Sequence, residues 1–81
     1  MTAYRESAIQ IACFLDVLGP QSPKFLRAQG ASPKTRAILY DNVYGWFERV
    51  DRGVYGLTPQ GKTALGEYPE LVAQYTPPPS R

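Results

Sequence analysis

Ser32-Pro33-Lys34-Thr35-Arg36-Ala37-Ile38-Leu39-Tyr40-Asp41-Asn42-Val43 is the stretch whose reading decides the fold. A serine hydroxyl caps helices well, and proline is favoured at the first helical position. With Ala37, Ile38 and Leu39 as the inward side, the stretch predicts a helix from Pro33 to Asn42 or Val43. Ser22-Pro23-Lys24 repeats the punctuation ten residues earlier. It predicts a second, shorter helix that carries Phe25, Leu26 and Ala28 to about Gln29. The residues after the two triplets do not match, so the triplets are two caps rather than an internal duplication. Gly30-Ala31 lies between them, and a tight turn there gives the spacing of a helix-turn-helix.

Working outward, Ala8, Ile11, Ala12, Leu15 and Leu18 recur at helical steps from about Tyr4 to Leu18, and Ile9 and Cys13 widen the stripe. Gly19-Pro20 stops that helix. Downstream, Phe47-Glu48-Arg49-Val50 alternates in polarity, Asp51-Arg52-Gly53 has turn chemistry, and Val54-Tyr55-Gly56-Leu57 returns as a second strand. Strict alternation would put Phe47 and Arg49 on one face, so a bulge near Gly53 is expected. Thr58-Pro59 starts another helix through Lys62, Ala64 and Leu65, with Gly61 weakening its first turn. After Pro69, Glu70, Leu71, Val72 and Tyr75 form a last turn against the body. The predicted fold is mainly α with a small β-hairpin: a winged helix-turn-helix of three core helices plus a wing, with an additional C-terminal helix. This domain spans residues 1–75, and residues 76–81 read as a disordered proline-rich tail.

Composition narrows the function. The net charge is only +2, but between Pro20 and Lys62 seven basic residues face three acidic ones, so the cationic surplus lies in the helix-turn-helix and hairpin. With no histidine and a single cysteine, Cys13, neither a disulfide nor a zinc site is available. The carboxylates are scattered and no nucleophile stands out, so no enzyme, no catalytic residue, no metal and no cofactor is expected. No window approaches the roughly 18 apolar residues of a membrane span, and a cytoplasmic location is expected.

One stretch is more distinctive. Ile38 through Val50, with Tyr44-Gly45-Trp46-Phe47-Glu48-Arg49-Val50 at its centre, is followed by Arg52-Gly53-Val54-Tyr55 and Leu57-Thr58-Pro59-Gln60-Gly61. From about Ile11 to Leu65 the chain resembles the C-terminal winged-helix part of an uncharacterised bacterial family of putative PD-(D/E)XK phosphodiesterases. The resemblance implies an accessory DNA-binding role. It carries over no catalytic residue, because the Asp and Glu-x-Lys cluster that such a site needs for magnesium is missing from this sequence.

The expected function is therefore a double-stranded DNA-binding module, either a transcriptional regulator or an accessory domain to a nuclease-like partner. Lys34, Thr35 and Arg36 would meet base edges at the start of the recognition helix, with Tyr40 one turn further on a phosphate. Arg49 and Arg52 would reach from the wing, and Lys24 and Arg27 would contact phosphates from the preceding helix. A solvated helix face and ordinary turn chemistry account for the same residues one by one. The alternative function is a protein-interaction or dimerisation module without DNA binding, for instance a homodimer through the first helix and the Leu71 to Tyr75 segment.

Overall fold

Helix α1 (Ala3–Leu18) turns Ala8, Ile9, Ile11, Ala12, Cys13 and Leu15 into the core, the stripe the periodicity anticipates. Leu18 is the exception: it is 44% exposed because the helix runs past the core there. The Gly19 N–H closes onto the Leu15 carbonyl at 2.9 Å, and Pro20 follows. The structure is a computed structural model describing residues 3–75, so the expected tail at 76–81 lies outside the described residues.

Helix α2 (Pro23–Ala28) begins as its punctuation dictates, with the Ser22 hydroxyl accepting the Phe25 N–H at 3.1 Å. Its end is a Schellman closure. The Ala31 N–H donates to Leu26 O and the Gly30 N–H to Arg27 O, both at 3.0 Å, while Leu26 and Ala31 are buried together in the core. Gly30 has φ +104°, a conformation that side chains rarely adopt, so a glycine is needed where the chain reverses between the two helices.

Helix α3 (Thr35–Asp41) starts two residues later than the Ser32-Pro33 signal predicts. The Ser32 hydroxyl accepts the Lys34 N–H at 3.1 Å, and the Ser32 carbonyl accepts both the Thr35 N–H and the Thr35 hydroxyl. The triplet therefore folds as a tight turn rather than a cap. Ile38 and Leu39 are buried as expected, whereas Ala37 faces outward. At the other end Asn42 adopts the left-handed conformation (φ 48°, ψ 49°). Its side chain then does what a neighbouring strand would do: Oδ1 accepts the Phe47 N–H at 3.0 Å and Nδ2 donates to the Phe47 carbonyl at 2.8 Å.

Strands β1 (Phe47–Asp51) and β2 (Val54–Leu57) pair antiparallel, with Phe47 opposite Leu57 and Arg49 opposite Tyr55. The expected bulge is present, but at Val50 rather than Gly53: Asp51 pairs directly with Val54, leaving Arg52-Gly53 as the turn. The link between α1 and α2 also joins this sheet. Gln21 and Tyr55 exchange backbone hydrogen bonds of 3.0 and 2.9 Å, which tie the hairpin to the entry of the helix-turn-helix.

Helices α4 (Pro59–Glu67) and α5 (Pro69–Tyr75) complete the order. Gly61 does not weaken α4. It is buried where a Cβ would overlap the Trp46 carbonyl and come within 2.8 Å of Leu57 Cδ2. The Thr58 hydroxyl accepts the Gly61 N–H and donates to Gly45 O, so the same threonine caps α4 and holds the loop ahead of β1. Leu71, Val72 and Tyr75 of α5 pack back on the core, as the sequence suggests.

The aromatic run forms one cluster: Tyr44 stacks on Trp46 with centroids 4.5 Å apart, Tyr4 meets Tyr44 edge-on, and the Arg5 guanidinium lies 5.5 Å from the Tyr44 ring. Burial pushes the Tyr4 phenol above its ordinary pKa, and the Asp41 carboxylate adds to that shift. The whole is a mainly helical fold with one hairpin, in a winged-helix-like order of elements.

Two substitutions test these joints. Asn42→Ala leaves the Phe47 N–H and C=O without their partner and puts alanine in a left-handed backbone, and a loss of about 1–3 kcal/mol in urea unfolding is expected. Gly61→Ala, by overpacking against the Trp46 carbonyl, should lower the thermal midpoint at a cost of about 1–3 kcal/mol.

Candidate nucleic-acid interface

The helical repeat divides α3 into two faces. Thr35, Ile38 and Leu39 point into the core, and Arg36, Ala37, Tyr40 and Asp41 point out. Tyr40 is 79% exposed, a large ring held in solvent. With Pro33 and Lys34, the outward residues line a shallow hollow of about 510 Å³ along the helix. An α-helix with its side chains is about 10–12 Å across, which a major groove some 12 Å wide admits.

A second hollow of about 360 Å³ opens beside the first, and the two share Arg36. Lys24 and Arg27 from α2 line it, together with Ser22 and Pro23 at the start of that helix. Its far wall is the hairpin, through Gly53 and Tyr55. Positions 24 and 27 are one turn apart on α2, so both cations project from one face. Packing of α2 on α3 brings Arg36 to the same opening, and the Gln21–Tyr55 bridge holds the hairpin wall against it. Three cations from two helices thus surround one groove.

Thr35 does not reach this surface. It is fully buried and its hydroxyl donates to the Ser32 carbonyl, so the expectation that it meets a base edge is corrected. The cause is the helical repeat, which puts position 35 on the face of Ile38 and Leu39, three and four residues on. Arg49 and Arg52 are exposed on the hairpin but line neither hollow. The Arg49 Nε donates to the Asp51 carbonyl at 3.4 Å, and the Asp51 carboxylate accepts the Arg52 N–H at 2.7 Å. Sequence reasoning missed Tyr55 and Gly53 as groove residues. Only a pairing between Gln21 and Tyr55, 34 positions apart, makes them so, and no local pattern announces it.

Residues 1–64 match the family described as "Putative PD-(D/E)XK phosphodiesterase (DUF2161)". The chain belongs to that family. No curated protein and no solved structure matches the sequence. The family match begins ahead of Ile11, where the resemblance was expected to start, and takes in all of α1. It also corrects the expectation of no enzyme, since the family is described by a phosphodiesterase activity. Among the described residues, no group of three or more His, Cys, Asp or Glu side chains is gathered where it could hold a metal ion. No helix among the described residues is long and apolar enough to cross a membrane.

Replacing Thr35 by valine separates its bond to the Ser32 carbonyl from a contact with DNA. Stability should fall by about 0.5–1.5 kcal/mol through the lost hydroxyl bond, with DNA affinity at constant salt unchanged; a loss of affinity in the folded variant would return Thr35 to the interface.

Proposed function

We propose that residues 3–75 form a winged-helix DNA-binding module that holds duplex DNA for the phosphodiester chemistry of its family, with the metal-binding carboxylates supplied from outside these residues. The observation that carries this reading is the convergence of Lys24, Arg27 and Arg36 on one groove bounded by the hairpin. Helix α3 enters the major groove with Lys34, Arg36 and Tyr40 outward, and α2 crosses the backbone with Lys24 and Arg27 toward phosphates. Arg49 and Arg52 lie on the hairpin, within reach of the flanking backbone. The family's phosphodiesterase description favours this accessory role over that of a transcriptional regulator, because a phosphodiester-cleaving protein has to engage the same polymer.

A second reading rests on a different surface. Cys13, Phe14, Val17, Leu18 and Tyr75 line a small apolar hollow between α1 and α5, and Val17 and Leu18 are exposed beside it. That surface supports a homodimer or a partner protein and shares no residue with the cationic groove.

Binding to a mixed-sequence duplex, followed by fluorescence anisotropy at several salt concentrations, tests the proposal. Affinity should fall with salt at a slope of about −0.9 per phosphate contacted. The triple variant Lys24→Ala, Arg27→Ala, Arg36→Ala should bind at least tenfold more weakly with a slope reduced by about 2 to 3. Equal binding by the folded triple variant would remove the groove from the interface.

A further inference from the structure

We infer that the module grips duplex DNA by its backbone with little discrimination among base sequences, Arg36 joining Lys24 and Arg27 on phosphate rather than serving as a base reader. This rests on the DNA-binding reading above and specifies the class of DNA that the same groove takes.

The argument starts from what α3 can offer a base edge. Strong discrimination comes from bidentate pairs, arginine or lysine to guanine and asparagine or glutamine to adenine. The outward face of α3 and its entry turn carry Pro33, Lys34, Arg36, Ala37, Tyr40 and Asp41, with no amide side chain among them. Asn42 is the nearest amide, and both of its polar atoms are committed to the Phe47 backbone. Thr35 is buried. Lys34 precedes the first helical residue and offers a mobile point charge rather than a planar fork. Asp41 would repel the backbone at the far end of the helix. Arg36 is the one planar, bidentate donor left on this face.

The surroundings of Arg36 favour a phosphate. It shares its groove with Lys24 and Arg27, and three like charges around one opening are relieved by an anion between them. Tyr55 on the opposite wall adds a phenolic donor of the kind found on backbone oxygens. Magnitudes point the same way. A single arginine–guanine pair discriminates by about 5- to 150-fold, whereas site-specific binders prefer their sites by about 10³- to 10⁷-fold. Even if Arg36 turned wholly to a base, this face could not reach the specific class.

The test is a panel of short duplexes of unrelated sequence, titrated with the full chain at one salt concentration and again across a salt series. The expected result is affinities within about tenfold across the panel. Arg36→Ala should weaken every duplex by a similar factor and reduce the salt slope by about 0.9, and Arg36→Lys should restore most of that slope. A duplex preferred by about 10³-fold or more, with the preference lost in Arg36→Ala, would overturn backbone recognition while leaving DNA binding intact. Failure to bind any duplex would instead overturn the DNA-binding reading on which the inference stands.

Discussion

The orientation of the helix-turn-helix against its hairpin depends on one side chain. Asn42 ends α3 in a left-handed turn and then uses both its carbonyl and its amino group on the backbone of Phe47, the first residue of β1. A short helix has little stability of its own, since nucleation is costly and tertiary packing supplies most of the stabilisation. Fixing its end to the sheet therefore sets the angle at which Arg36 and Tyr40 leave the surface. The Gly30–Ala31 closure fixes the other end of the reversal, and the Gln21–Tyr55 bridge fixes the hairpin from behind. Each joint is made by hydrogen bonds to the backbone, so none requires a large side chain in a domain this small.

Local chemistry made the element order legible. Ser22 and Thr58 cap their helices as their prolines imply, and the apolar stripe of α1 is buried apart from Leu18. Ser32 followed the same pattern to a different outcome: its carbonyl accepts the Thr35 N–H in a tight turn, and the α-helix begins only at Thr35. The helical repeat put Thr35 on the buried face with Ile38 and Leu39 and left Ala37 outward. Gly61 was misjudged for a different reason: helix propensity penalises glycine, but here the missing Cβ lets α4 lie on the Trp46 carbonyl. The first error is a choice between two local hydrogen-bonded arrangements, and the second is a tertiary contact that overrules a local preference.

The candidate interface was legible in part. Lys24, Arg27 and Arg36 were candidates on charge and position, yet that they share one groove comes from the packing of α2 on α3 and from the hairpin wall, neither of which a single sequence displays. Family membership changes the meaning of that groove. Under the proposed function, contact with the polymer backbone has a direct use in a family described by phosphodiesterase activity, whereas a regulator would need a richer set of base-reading side chains than α3 presents.

The bulge at Val50 has a consequence for how molecules of this chain meet in solution. Because β2 lies between β1 and the Gln21 bridge, β1 is the outer margin of the sheet, with backbone groups directed to solvent. Asn42 occupies the slot at Phe47, the bulge breaks the ladder further along, and Glu48, Arg49 and Asp51 flank the interval with charge. An extended strand from another chain finds no continuous template there, so the margin is guarded against runaway edge-to-edge aggregation by the same irregularity that closes the hairpin.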